Sequence, residues 1–188
     1  MIVFLISLII CIFTHELGHL IVAKKCGCTV DIFSIGFGKP FYRKEIGNTI
    51  YQIAPVILGG YCKLKDEVKS SNEGDAFTNL IYRKKVMITI AGCLVNIISG
   101  LICILIGTKL NIWNLVYFGF ISTSLGVTNL LPIPALDGSY LYLVWLEKYM
   151  GKEKGYTLME KLINIGFKIL MILNILCIPY IIMNWRKF

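Results

Sequence analysis

Charge is scarce in this sequence. Lys, Arg, Asp and Glu make up 16% of its 188 residues, where a soluble domain usually carries about a quarter. Hydrophobic residues make up 56%, and the mean hydropathy is +0.72. Such a chain suits lipid better than a large soluble core, and its length suits one domain. Paired cysteines are also missing. The seven cysteines are odd in number and scattered, which excludes a disulfide framework. Cys11, Cys93, Cys103 and Cys177 fall in apolar runs, where cysteine acts as a small hydrophobe. Cys26-Gly27-Cys28 has no second pair of the kind a structural zinc site needs, so it reads as structural. No internal repeat, low-complexity tract or appended soluble domain is evident. Residues 1–22 lack a basic leader region and a small-residue cleavage site, so this apolar start is expected to be retained.

The net charge of +8 does not point to nucleic acid. The basic residues lie between apolar runs, where they set topology and meet anionic lipid, and no platform of interleaved basic and aromatic residues is present.

The expected fold is all-α and polytopic, with about four transmembrane helices and a small membrane-associated β-hairpin or sheet between helices 1 and 2. A spanning helix needs about 20 residues. The helices are expected at 1–24, 84–107, 112–146 and 161–184, the third broken near 132–138 by Pro132 and Pro134. They form one membrane-embedded domain over 1–188. The connection 25–80 is rich in glycine, aromatics and β-branched residues, which predicts strands at 31–38, 41–43, 49–53 and 56–64. A turn is expected at 46–48 and a polar loop at 66–74. Eleven Lys and Arg lie in 24–85, four in 147–161 and one in 107–111. The first two connections are therefore expected to face the cytoplasm and the third the outside. Arg186 and Lys187 would then lie outside, unless the last helix does not fully cross.

The chemistry is concentrated in His15-Glu16-Leu17-Gly18-His19, which holds the chain's only two histidines. On a helix, positions i and i+4 share a face, so two imidazoles can bind one zinc ion. Glu16, about 100° round the helix, can reach water on the metal and act as general base. Ionisable groups within an apolar run cost at least about 2.5–3.5 kcal/mol near the bilayer centre, which favours a role over chance. A catalytic zinc needs a third protein ligand. Cys11, one turn before His15, has suitable spacing. Asp137 is the stronger candidate: it is the only acid between Asp75 and Glu147 and follows the proline-broken stretch Asn129–Leu136. The alternative is that Asp137 caps a helix starting at Gly138.

HELGH in the first helix and Asn-Leu-Leu-Pro-Ile-Pro-Ala-Leu-Asp-Gly at 129–138 resemble the site-2 protease family of intramembrane zinc metalloproteases. Gly59-Gly60-Tyr61, followed by Lys63, resembles the family's Gly-Gly-Tyr segment. Ala91-Gly92-Cys93-Leu94-Val95-Asn96 resembles its Gly-xxx-Asn element. The resemblance covers roughly residues 10–145. It implies His15, His19 and Asp137 as ligands of Zn(2+) and Glu16 as the base. It also implies a transmembrane-helix protein as substrate, which must unwind to be cut. The 50–64 segment, including Gly59, Gly60 and Tyr61, would offer a strand edge to the extended substrate. Asn96 and Asn129 would steady the unwound chain or the oxyanion; interhelical hydrogen bonding is the other account of both. Two departures stand out. Residues 107–111 leave no room for the periplasmic PDZ domain of better-known bacterial members, and Cys93 replaces the usual proline after Gly92, a change expected to affect packing. No nucleotide-binding domain follows, unlike some sporulation-type relatives.

The expected partners are the substrate helix and the lipid bilayer, with no nucleic acid; a homo-oligomer is compatible. The expected location is the cytoplasmic membrane, with the site towards the cytoplasm. Expected substrates are membrane-anchored regulators such as anti-sigma factors, signal-peptide remnants, or precursors of peptide signals. The rival readings are a catalytically silent membrane adaptor, against which Glu16 speaks, and a metal or solute transporter.

Overall fold

The computed structural model describes residues 2–67 and 73–184. The first apolar run forms helix α1 (Ile2–Lys25). It stops where Gly27 takes φ +79°. There Cys28 N–H bonds Ala23 O (2.9 Å) and Gly27 N–H bonds Lys24 O (3.1 Å), a Schellman closure that favours glycine. Lys24 and Lys25 in the last turn complement the helix dipole.

Four strands follow: β1 (Val30–Phe37), β2 (Tyr42–Ile46), β3 (Thr49–Ile53) and β4 (Val56–Leu64). The expected strands are all present within a few residues. Their pairing is not a simple hairpin. The sheet order is β2-β3-β1-β4; β1 runs parallel to β3 and antiparallel to β4, with Phe33 opposite Tyr51 and Cys62. β2 turns back antiparallel on β3, with Ile46 opposite Thr49. Phe33 of β1 and Leu64 of β4 bury themselves with Leu20 and Ala23 of α1, so the sheet lies against the end of the helix. Asp75 returns the chain to the sheet. Thr29 Oγ1 donates to its carboxylate at 2.6 Å and Lys65 Nζ at 3.2 Å. The Thr29 hydroxyl, then Lys65, holds the Asp75 carboxyl below its usual range. Of the expected loop 66–74, residues 68–72 lie outside the described residues.

Helix α2 (Tyr82–Leu110) ends at Asn111, whose φ of 55° is left-handed, and α3 (Trp113–Asn129) begins two residues later. No domain separates the two. They pack closely because each puts glycine at the crossing: a Cβ on Gly100 would lie 2.7 Å from Gly119 O, and one on Gly119 2.6 Å from Gly100 O. Small residues allow such approach where lipid supplies no hydrophobic drive between helices. The outer face of α2 is apolar, with Ile98, Leu101, Ile102 and Leu105 about half exposed or more. A patch of that kind on a soluble monomer would be a liability; against lipid tails it is ordinary surface. Polar groups turn inward instead. Ser122 Oγ of α3 donates to Asn96 O at 2.9 Å.

After α3 comes an irregular stretch, a short 3-10 turn (Asp137–Ser139) and α4 (Tyr140–Met150). The break expected near 132–138 is therefore present. The last helix differs from expectation. It is α5 (Lys152–Asn184), and the charged segment 147–161 is not a connection. Only Gly151, at φ +79°, separates α4 from α5. The reason is periodicity: Tyr156, Met159 and Ile163 recur at helical spacing and pack into the core, so Lys154, Glu160 and Lys161 occupy the outer face of an amphipathic start. Lys85 Nζ donates to Tyr156 Oη at 2.7 Å and lies 5.5 Å from the centre of that ring, which ties α5 to the foot of α2. Arg186 and Lys187 lie outside the described residues.

Among the described residues, two helices are long and apolar enough to cross a membrane, over Val3–Lys25 and Tyr82–Leu110. α3, with 17 residues, is about 26 Å long at 1.5 Å per residue, a little short of the roughly 30 Å hydrocarbon core.

Candidate metal centre

α1 and α2 touch where Gly18 faces Ala91 and Gly92. A Cβ on Gly92 would stand 2.4 Å from His19 Nε2 and 2.7 Å from His15 O. Only glycine leaves room there for the imidazole. The close crossing lets His19 Nδ1–H donate to Ile88 O at 2.8 Å. That bond fixes the tautomer and leaves a lone pair on Nε2.

His15 is set by Asn96, which is fully buried. The Asn96 carboxamide lies between Thr14 Oγ1, 3.1 Å from Oδ1, and His15 Nδ1, 3.4 Å from Nδ2. Thr14 can spend its proton on Ile10 O at 3.0 Å.

The third group comes from the break after α3. Pro132 and Pro134 remove backbone donors, and Ala135 takes φ +78°. Leu136, the N-cap of the short turn, is extended and makes no side-chain cap bond. Asp137 is the first residue of that turn rather than its N-cap. Asp137 Oδ2 lies 2.7 Å from His15 Nε2 and 3.2 Å from His19 Nε2, and the two Nε2 atoms are 3.2 Å apart. Two imidazole Nε2 atoms and a carboxylate oxygen thus converge in a largely buried place. Two imidazole nitrogens with one carboxylate oxygen form a donor set zinc accepts. The residues fit the ion. Cys11 does not join them; its thiol meets Ser122 of α3.

Glu16 lines the adjoining cleft of about 320 Å³, with Gly60, Tyr61, Asp137 and Tyr140. Its carboxylate shares that cleft with Cys62 of β4. Gly60 permits this approach, since a Cβ there would be 2.8 Å from Ser34 O and 3.0 Å from Glu16 Cγ. A Cβ on Gly59 would strike the Phe37 ring at 2.5 Å. Tyr61 stacks on Phe37 at 6.1 Å and accepts from Gln52 Nε2 at 2.9 Å. β4 is an edge of the sheet and forms one wall of the cleft. Asn129 Nδ2 stands 3.3 Å from His15 Nε2, at the centre; Asn96 stays between the helices.

Sequence reasoning missed two residues. Cys93 Sγ lies 3.4 Å from Asp137 Oδ2. Its place beside Gly92, under His19, was the available signal. Glu67 lines the same cleft and bonds Tyr140; its position in a polar loop concealed it.

Residues 3–114 and 107–173 match the profile of peptidase family M50. The chain belongs to that family. The M50 peptidases are the site-2 proteases whose motifs it carries. It is 32% identical over 181 residues to a Borreliella burgdorferi protein named "Putative zinc metalloprotease", covering 84% of this chain and 41% of that one. It is 38% identical over 133 residues to a Neisseria meningitidis protein of the same description, 69% of this chain and 26% of the other. Against the regulator of sigma-E protease RseP of Salmonella typhimurium it is 40% identical over 103 residues, 52% of this chain and 23% of that one. The chain thus spans less than half the length of these relatives.

Proposed function

We propose that this M50 chain is a zinc-dependent endopeptidase that cuts transmembrane segments of membrane-anchored proteins. The observation that carries the reading is the convergence of His15 Nε2, His19 Nε2 and Asp137 Oδ2 within 3.2 Å of one another, beside Glu16 in an open cleft. His15, His19 and Asp137 would hold the ion, which supplies a Lewis acid that polarises the scissile carbonyl and makes water acidic enough to attack at neutral pH. Glu16 accepts the water proton and delivers it to the departing amine. Asn129 presents its amide where negative charge develops on the carbonyl oxygen. The β4 edge, Gly59 to Tyr61, receives the substrate as an added strand. A helix must unwind to bind in this way, since only an extended chain exposes its amides to the edge. Ile88 O and Asn96 hold the imidazoles in place.

In this reading residues 1–188 act as one membrane-embedded unit. α3 with α4, and α5, complete a bundle of about four membrane helices, and the sheet and cleft lie towards the cytoplasm. Substrates are membrane-anchored regulators or signal-peptide remnants.

The test pairs wild type with Glu16→Ala, both purified in detergent and incubated with a panel of transmembrane-helix substrates. Both proteins should hold about one zinc, as a single two-histidine, one-aspartate centre requires, and only wild type should cut. Wild type without zinc in zinc-replete buffer would sink the ligand assignment. Cutting by Glu16→Ala would remove Glu16 from its role.

A further inference from the structure

Cys93 stands at the centre, and the proposed reaction makes no use of it. It is fully buried on α2, and its sulfur faces the same carboxylate oxygen, Asp137 Oδ2, that both imidazoles face, at 3.4 Å. The ligand atoms of His15, Cys93 and Asp137 all lie within 4.8 Å of one another. Three separate elements deliver them: α1, α2 and the break after α3. The thiol is held there from both sides. Gly92, its neighbour, is wedged against His15 and His19, and the Cys93 carbonyl oxygen would be 2.7 Å from a Cβ on Gly126 of α3. Two atoms bound to one tetrahedral zinc at about 2.0 Å and 2.3 Å lie about 3.5 Å apart, close to the observed sulfur–oxygen separation.

We propose that Cys93 is a further protein ligand of the metal, its thiolate joining His15 and Asp137 around the ion. The inference rests on the zinc reading above. Binding exchanges the S–H bond for a metal–sulfur bond and releases one proton to solvent. A soft thiolate favours zinc over magnesium, calcium or manganese. It also takes a position that the open catalytic site would otherwise leave free. The resting centre would therefore be more closed than its two histidines and aspartate alone would make it.

Cobalt(II) reports a thiolate ligand without any need for turnover. The full-length protein, loaded with cobalt(II) in detergent, should show a near-ultraviolet thiolate-to-cobalt charge-transfer band beside the visible bands of a tetrahedral centre. Cys93→Ala and Cys93→Ser should lose the charge-transfer band and keep the visible ones. Cys11→Ala, buried one turn from His15, should keep both. Zinc-edge X-ray absorption of wild type should show a sulfur neighbour at about 2.3 Å, and this reading needs no variant to fold. Visible bands without charge transfer, or a zinc shell of nitrogen and oxygen only, would overturn the Cys93 assignment and leave the zinc centre standing. Absence of stoichiometric cobalt or zinc would bring down the zinc reading itself, and the Cys93 assignment with it.

Discussion

Asn96 and Glu67 show what single residues contribute around the centre. Asn96 touches neither the cleft nor the ion; it orients His15. Replacing such an outer partner typically costs 10–100-fold in metal affinity. Asn96→Leu, of similar size, should therefore keep its helical circular dichroism while losing zinc to a chelator at about 10–100-fold lower concentration. Unchanged chelator competition would mean that Asn96 serves helix packing alone. Glu67 behaves differently. Burial, opposed by the Tyr140 hydroxyl and the Leu64 backbone, pushes its carboxyl from 4.5 up to about 7. A carboxyl raised in the folded state binds more protons there than when unfolded, so stability falls as pH rises between those two values and is level above them. Thermal unfolding of wild type in detergent should show this decline from about pH 4.5 to pH 7, and Glu67→Gln should flatten it. An equal slope in the variant would assign the decline to another group.

The elements depend on close approach and on one strained turn. α1 and α2 meet at Gly92 with no space for a methyl group beside His19 Nε2. Gly92→Ala should therefore displace that imidazole and abolish stoichiometric zinc binding, even in molecules that still fold. Retained zinc with an intact spectrum would show that the crossing can widen freely. In the turn that presents Asp137, Ala135 holds φ +78°, where an L-residue costs roughly 1–2 kcal/mol. Ala135→Gly should leave stability unchanged or raised, whereas β-branched Ala135→Val should lower it by at least about 1 kcal/mol. Denaturation of the two variants side by side decides the point. Gly166 of α5 backs this turn, since a Cβ there would lie 2.4 Å from Pro134 O. The last helix thus braces the segment that carries the aspartate.

At the scale of the whole molecule, the apolar exterior of α1 and α2 and the basic sheet region predict a definite sidedness. Single reporter cysteines at Gly47, between β2 and β3, and at Lys109, at the end of α2, should label from opposite faces of the membrane. In intact cells an impermeant thiol reagent should reach Lys109→Cys and spare Gly47→Cys; inverted vesicles should reverse the pattern. Labelling of both from one side would refute the proposed crossing by α2.

Much of this was legible along the chain. Hydropathy marked α1 and α2, because a spanning helix must be long and nearly free of charge. The strands could be read locally from their β-branched and aromatic residues and their turns. HELGH placed two imidazoles on one face because helical spacing is local geometry. Pairing could not be read in this way: the parallel contact of β1 with β3 depends on which edges meet in space. The start of α5 was hidden because lysines on the outer face of an amphipathic helix look like a connection in one dimension. Tertiary structure alone decided that Asp137 faces the histidines rather than capping a helix, that Cys11 turns to Ser122, and that Cys93 faces the same oxygen as the imidazoles. These are contacts across more than forty positions of chain, and only packing at the small-residue crossings sets them. The sequence by itself determined the ligand types and the lipid-compatible helices, because those follow from side-chain chemistry and local periodicity. The arrangement of the centre belongs to the fold, because it depends on how closely three separate elements can approach.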